Sequence, residues 1–213
     1  GLYSGHNDHN YFEIAHTIRR EFDQGGGLYR GTFLYSFVDN HDVDRLISKL
    51  NNREHICPVF TLLSTLPGIP SLYYGSEWGI EGRKEGSNDD PLRPAVDIEE
   101  VREKLPDERV TQWVRTLAKI HTSQKELVYG VYQELYLTNR QYAFARILRD
   151  NCVLVAVNND EQEATVRVTV PTGAHPCQDL VSGEAVVCDD GQLELHLKPC
   201  DSRIFLCGPA VRE

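Results

Sequence analysis

Near residue 124 the apolar residues change their period, and this constrains the fold more than any other feature of the chain. Before that point apolar positions recur at helical spacing in three segments, separated by short β-branched and aromatic runs. After it they alternate with polar residues between turn signals such as Asn158-Asn159-Asp160, Ser182-Gly183 and Asp189-Asp190-Gly191. Strands that alternate with helices build a parallel sheet, whereas successive short strands build an antiparallel one. The 213 residues are therefore expected to hold two architectures, α/β over residues 1–124 and all-β over residues 125–213. No repeat, low-complexity tract or long linker separates them, which predicts a packed junction.

In the first part, Asn10 is expected to cap a helix with Glu13 as its capping-box partner. Phe12, Ile14, Ala15, Ile18 and Phe22 form the apolar face, and Gly25-Gly26-Gly27 ends the helix. Residues 32–38 read as a buried strand with the polar exit Asp39-Asn40-His41-Asp42. Residues 54–66 form a second helix on Ile56, Val59, Phe60, Leu63 and Leu66, stopped by Pro67-Gly68, and residues 69–74 a second strand. A loop is expected over residues 75–106, after which Asp107 caps a third helix carrying Val110, Trp113, Val114, Leu117 and Ile120. From residue 126 no helix is expected. Val166, Val168 and Val170, and Leu193, Leu195 and Leu197, should each supply the buried face of a strand.

The formal charge of −10 argues against nucleic-acid backbones and anionic membranes as partners, because no basic run interrupts the acidic background. No apolar run approaches the roughly 18 residues needed to span a bilayer. The chain contains no methionine, so Gly1 is not expected to be a translational start and a preceding segment is expected. The six cysteines lack zinc-site spacing and read as scattered thiols, with one or two disulfides among the five in the last third as the alternative for a secreted protein; the first reading favours a reducing, cytoplasmic compartment, with export left open by the missing start. His6 and His9 have an HxxH look but no third ligand in reach of the sequence, and they are expected near a cleft mouth and not at a metal.

The hexapeptide Phe37-Val38-Asp39-Asn40-His41-Asp42 resembles the motif that ends the seventh barrel strand in the α-amylase family. At a suitable distance, Gly68-Ile69-Pro70-Ser71-Leu72-Tyr73-Tyr74-Gly75-Ser76-Glu77 resembles that family's eighth-strand motif, and Asp90-Pro91-Leu92-Arg93-Pro94 resembles the loop that follows it in bacterial members. The resemblance implies the C-terminal part of a (β/α)8 TIM barrel, from the end of unit six through unit eight, followed by an antiparallel β-sandwich. A full barrel of this type takes eight strands and about 250 residues, so the nucleophile and acid/base motifs of the fourth and fifth strands are expected in an absent N-terminal part.

By the same resemblance Asp42 is the third catalytic carboxylate, which grips sugar hydroxyls and stabilises a distorted ring. Retaining cleavage passes through an oxocarbenium-like state that such a charge favours. His41, Asn40 and Arg93 are expected to bind the same sugar, Trp78 and Arg93 to wall the cleft, and Asn40 and Arg45 to support Asp42 from behind. Asp39 and Asp44 are assigned to structure, and Glu77 to loop backbone. Spacing alone does not separate Asp42 from its acidic neighbours. The implied partner is an α-glucan or maltodextrin. The resemblance also brings calcium as an ion common among relatives, but no oxygen-ligand cluster for it is legible here, and no cofactor or metal ligand is assigned.

The expected function is thus that of a segment of a retaining α-glucosidic hydrolase, inactive alone. The alternatives are a transglycosylase of the same family, a catalytically dead relative, and a carbohydrate-binding sandwich that uses Tyr129, Tyr132, Tyr136 and Tyr142 as sugar platforms. A membrane-associated transporter subunit of the same family would need a spanning helix, which residues 1–213 do not contain and which is left to an upstream segment.

Overall fold

A computed structural model describes residues 1–104, 108–173 and 176–209. Its N-terminal part runs α1 (Leu2–Asn7), α2 (Tyr11–Phe22), β1 (Tyr35–Phe37), α3 (Leu46–Lys49), α4 (Ile56–Thr65), β2 (Ile69–Ser71), α5 (Ile98–Lys104), α6 (Glu108–Ser123) and α7 (Lys125–Tyr129). Single 3-10 turns at Arg53–His55, Ser76–Trp78 and Asp90–Leu92 shape the loops between them. β1 and β2 are parallel, with Tyr35 opposite Ile69 and Phe37 opposite Ser71, and α4 makes the crossover. Among the described residues no other strand pairs with either, and no helix is long and apolar enough to cross a membrane.

Among the described residues the C-terminal part holds eight strands: β3 (Val131–Leu137), β4 (Gln141–Leu148), β5 (Asn151–Asn158), β6 (Ala164–Thr169), β7 (Cys177–Asp179), β8 (Ala185–Val186), β9 (Gln192–Leu197) and β10 (Ser202–Cys207). Six form one sheet in the order β3-β4-β5-β10-β7-β8, and β6 pairs with β9 separately, every pairing being antiparallel. Along β6 and β9 one face is buried, and Val166, Val168, Leu193, Leu195 and Leu197 fill it. In β4 and β5 the alternation disappears because both faces are covered. Tyr142, Phe144, Val153 and Val155 join the core shared with α2, α4 and α6, whereas Ala143, Ala145, Leu154 and Ala156 face the β6–β9 pair. A strand buried on both sides reads as a continuous apolar run.

Several local expectations are corrected. Asn10 occupies the N-cap of α2 but its side chain makes no capping bond, and Glu13 instead accepts from the amino terminus of Gly1 and from Ser4, both at 3.2 Å. α2 stops at Phe22, before the triple glycine. β1 and β2 are shorter than the runs that predicted them, and β1 is not the buried strand expected, since Tyr35 and Phe37 are exposed. A helix, α5, interrupts the expected loop, and α7 lies at the start of the part in which none was expected. The capping role read for Asp107 falls outside the described residues. Tyr132 and Tyr142 are no sugar platforms, since both are buried with their hydroxyls hydrogen-bonded to each other.

The two parts share their largest core. Tyr11, Ile14, Val59, Phe60, Leu117 and Ile120 pack with Tyr142, Phe144, Val155 and Ile204 across the junction. Buried Arg146 reinforces it from β4, donating to the carbonyl of Thr65 at the end of α4 (2.9 Å) and twice to that of Gly130. Burial pulls its guanidinium down to about 10.

Candidate active site

The chain leaves β1 through a change from apolar to polar that is also a change from buried to exposed. Val38 and Asp39 are buried, Asn40 is half-buried, and His41 and Asp42 are exposed. Asn40 builds the turn: its Oδ1 accepts from the Asp42 backbone N–H at 2.9 Å, an Asx turn that lifts residue 42 to the surface. The Asp42 side chain, 60% exposed, borders an open groove of about 510 Å³ that also touches Tyr3, Phe37, Asp44, Lys49 and Lys84.

Two basic groups flank the Asp42 carboxylate. His41 Nε2 lies 3.2 Å from Oδ2 and Arg93 Nη2 3.2 Å from Oδ1. Arg93 Nε donates to the His41 carbonyl at 3.0 Å, and Nη2 also reaches Asp89 at 3.1 Å. Asp89 in turn pairs with Lys84 at 2.9 Å. The Lys84 hydrogen bond is the main reason the Asp89 carboxyl is held below the usual carboxylate range, with Arg93 and His41 adding to it. Asn40, His41, Asp42 and Arg93, four residues spread over 54 positions of sequence, thus meet at one strand end.

Beneath them lies a buried polar plug. Asp39 accepts from Ser76 Oγ at 2.8 and 2.9 Å and from the Leu46 N–H at 2.8 Å, and Arg45 Nε lies 3.5 Å away. Arg45 is fully buried, donates to the carbonyls of Leu92 (3.1 Å) and Tyr74, and stacks over the Tyr73 ring at 4.5 Å. One guanidinium therefore ties the exit of β1 to the exit of β2 and to the loop that carries Arg93. Close approach of backbone makes this feasible: a Cβ at Gly82 would meet the Pro91 carbonyl oxygen at 2.3 Å. Lys49, partly buried, donates to the Val38 carbonyl at 2.8 Å, and burial lowers its pKa.

Sequence reasoning placed Asp39 among structural groups and Arg45 as a supporting one, but missed Ser76, Lys84 and Asp89. Only the Asp89–Arg93 spacing of four residues carried a signal for any of them. Trp78 sits in a turn whose neighbour Glu77 accepts from Thr111 of α6, and it does not border the Asp42 groove. His6 and His9 are not at the cleft mouth. His6 is buried against Tyr11 (Nε2 to OH, 3.1 Å) and His55, while His9 contacts the Asn159 carbonyl and Arg140 on the C-terminal sheet. Among the described residues no group of three or more His, Cys, Asp or Glu is arranged to hold a metal ion.

Residues 11–141 match the family described as alpha amylase, catalytic domain, and residues 132–202 match the one described as neopullulanase-like, C-terminal domain. Neopullulanase 2 of Thermoactinomyces vulgaris is 28% identical over 179 residues, 82% of this chain and 29% of its own length. A cyclomaltodextrin glucanotransferase of Bacillus sp. (strain 38-2) is 27% identical over 156 residues, covering 70% of this chain and 20% of its own. The chain thus spans less than a third of these relatives. Among solved structures, the α-amylase of Geobacillus thermoleovorans superposes with a TM-score of 0.77 at 21% identity, over 99% of this chain and 47% of that one. An α-amylase from Malbranchea cinnamomea gives 0.76 at 19% identity, over 97% and 44%.

Proposed function

The chain belongs to the α-amylase family, and from that premise we propose that it is the C-terminal segment of a retaining enzyme that acts on α-glucosidic bonds of starch- or maltodextrin-like glucans. In this reading β1 and β2 are the seventh and eighth strands of a (β/α)8 barrel, residues 1–124 are its catalytic part, and residues 125–213 form a β-sandwich.

The observation that carries the reading is the Asp42 carboxylate, raised to solvent at the C-terminal end of a parallel strand, where barrel enzymes build their sites. Asp42 is the carboxylate that binds sugar hydroxyls and favours positive charge developing on the ring. His41, whose Nε2 lies 3.2 Å from its carboxylate, presents its ring to the same sugar. Arg93 holds one carboxylate oxygen and the His41 carbonyl, so it fixes the angle at which Asp42 faces the groove. Hydrolysis and glucan transfer share this step and differ in whether water or a sugar takes the glycosyl group. Residues 1–213 hold neither a nucleophile nor a proton donor for the chemistry and by themselves turn over no α-glucoside.

The test is Asp42→Asn in the full-length protein, assayed on maltodextrin. A fall in kcat on the order of 10²–10³-fold is expected, the scale for losing one electrostatic stabiliser of the transition state. Unchanged turnover by that variant, or activity on α-glucosides from residues 1–213 alone, would overturn the proposal.

A further inference from the structure

Three cysteines stand in one row across the C-terminal sheet, a feature that the site described above leaves unused. Cys207 of β10 is directly opposite Cys152 of β5 on one side and Cys177 of β7 on the other. All three are buried in the layer between the large sheet and the β6–β9 pair. Their thiols meet, Cys207 with both Cys152 and Cys177. Cys188 follows β8 on the face of Val186, which opposes Cys177, and its thiol meets that of Cys177. Cys188 is the partly exposed end of the row, and all four stand as thiols.

The two pairings of Cys207 differ in geometry. Gly208 N–H donates to the Pro176 carbonyl at 3.1 Å, which brackets Cys207 and Cys177 as a non-hydrogen-bonded pair. Such pairs have Cα atoms about 4.5 Å apart, inside the range of about 4.4–6.8 Å that a disulfide spans. The bond from Asn158 N–H to the Asp201 carbonyl fixes the alternation on the other side, where Cys207 and Cys152 fall in the wider, hydrogen-bonded class of about 5.5 Å. Both Cα separations suit a disulfide, but side chains of a non-hydrogen-bonded pair stand closer, nearer the about 3.8 Å between Cβ atoms that the bond requires, so Cys177 and Cys207 close with less movement.

We propose that this row is an inward thiol–disulfide relay: a small soluble disulfide of the glutathione type is taken up at Cys188, and the intrachain disulfide comes to rest between Cys177 and Cys207. The Cys188 thiolate attacks the external disulfide, forming a mixed disulfide and releasing one small thiol. The Cys177 thiolate attacks the Cys188 sulfur and releases the second. Cys207 then attacks the Cys177 sulfur, and Cys188 leaves as a thiolate that takes up a proton. In net terms two protein thiols and one external disulfide become one protein disulfide and two external thiols.

The local chemistry favours the transfer from Cys188 to Cys177 and slows the last one, since hydrogen bonds with Cys152 and Cys177 hold the Cys207 thiol well above its ordinary value. The hydrogen bond with Cys207 lowers the Cys177 thiol from its ordinary value, favouring the attacking form in the middle of the row. Burial raises Cys188, which slows entry as well.

The experiment incubates the full chain with oxidised glutathione under native conditions, with circular dichroism followed throughout, and maps disulfides by peptide mass spectrometry. Two thiols are expected to disappear per chain, with a single linkage between Cys177 and Cys207. Cys188→Ser should slow that linkage about tenfold or more, while Cys200→Ser leaves its rate unchanged. A linkage that forms as fast in Cys188→Ser, one confined to Cys57 or Cys200, or glutathione adducts without any linkage would each overturn the relay. Should Cys188→Ser fold poorly, the map of the unaltered chain still decides, because it must show the pair of Cys177 and Cys207.

Discussion

Arg45 and Arg93 carry the same charge a short distance apart and do different work. Arg45 is fully buried beside the equally buried Asp39, and removing one partner of such a pair strands the other without a counter-charge. Arg45→Met is therefore expected to destabilise the fold by about 3–5 kcal/mol, read as a lower urea midpoint at unchanged slope. Arg45→Lys should recover little of it, because a lysine cannot reach the Leu92 and Tyr74 carbonyls together. Arg93 pairs at the surface, with both partners roughly half exposed, and such pairs contribute about 0–1 kcal/mol. Arg93→Ala should leave the unfolding midpoint nearly in place, yet lower kcat/KM of the full-length protein by about 10²-fold through misplacement of Asp42. A large stability loss without a kinetic one would reverse the roles given to the two arginines.

At the scale of elements, α7 escaped the sequence reading because it is short. α7 is a single turn held by Gly130 N–H to the Glu126 carbonyl at 2.8 Å and by burial of Leu127, too short for a period to be legible. Its end needs a residue without a side chain: a Cβ on Gly130 would lie 2.3 Å from the Glu126 carbonyl oxygen and 3.0 Å from the backbone of Arg146. Gly130→Ala should cost about 1–3 kcal/mol in chemical unfolding, the range for forcing atoms into a filled space. An unchanged midpoint would show that the turn from α7 into β3 has room to shift. The strands erred in the other direction. Residues 32–38 all suit a strand, but among the described residues β1 pairs only with β2, where Pro70 offers no N–H, and a strand extends only as far as its partner.

Across the whole molecule, the junction between the helices and the C-terminal sheet contains a titratable knot. His6 is held down to about 3, chiefly by burial, with His55 and His9 adding repulsion and the Leu2 carbonyl opposing them. His55 is lowered as well, again mainly by burial. Tyr11, Cys200 and Arg140 complete the surround. Because the folded state resists protons that the unfolded state accepts, the stabilising effect of neutral His6 is full above about pH 6.5. It declines as pH falls from there towards 3, by about 1.4 kcal/mol per pH unit for that one proton. Urea midpoints measured from pH 7.5 to 4.5 should fall accordingly, and His6→Gln should flatten the slope. A midpoint that rises on acidification would contradict the burial assigned to His6.

The sequence by itself determined the division between parallel and antiparallel halves, most of the residues that enter the core, and the hexapeptide that turns Asp42 out at a strand end, whereas Phe12, Tyr35 and Phe37, read as core positions, are exposed. These are local matters, set by side-chain period, turn chemistry and the few residues around a strand exit. Only the tertiary structure decided that Arg93 reaches Asp42 across 51 residues, that Arg45 binds three loop segments, and that HxxH faces the C-terminal sheet. Contacts between residues far apart in the chain depend on how the elements are brought together, and no window of sequence records that. The same reason hid the cysteine row, since four thiols scattered over 56 positions become neighbours only when the register of β5, β10 and β7 aligns them.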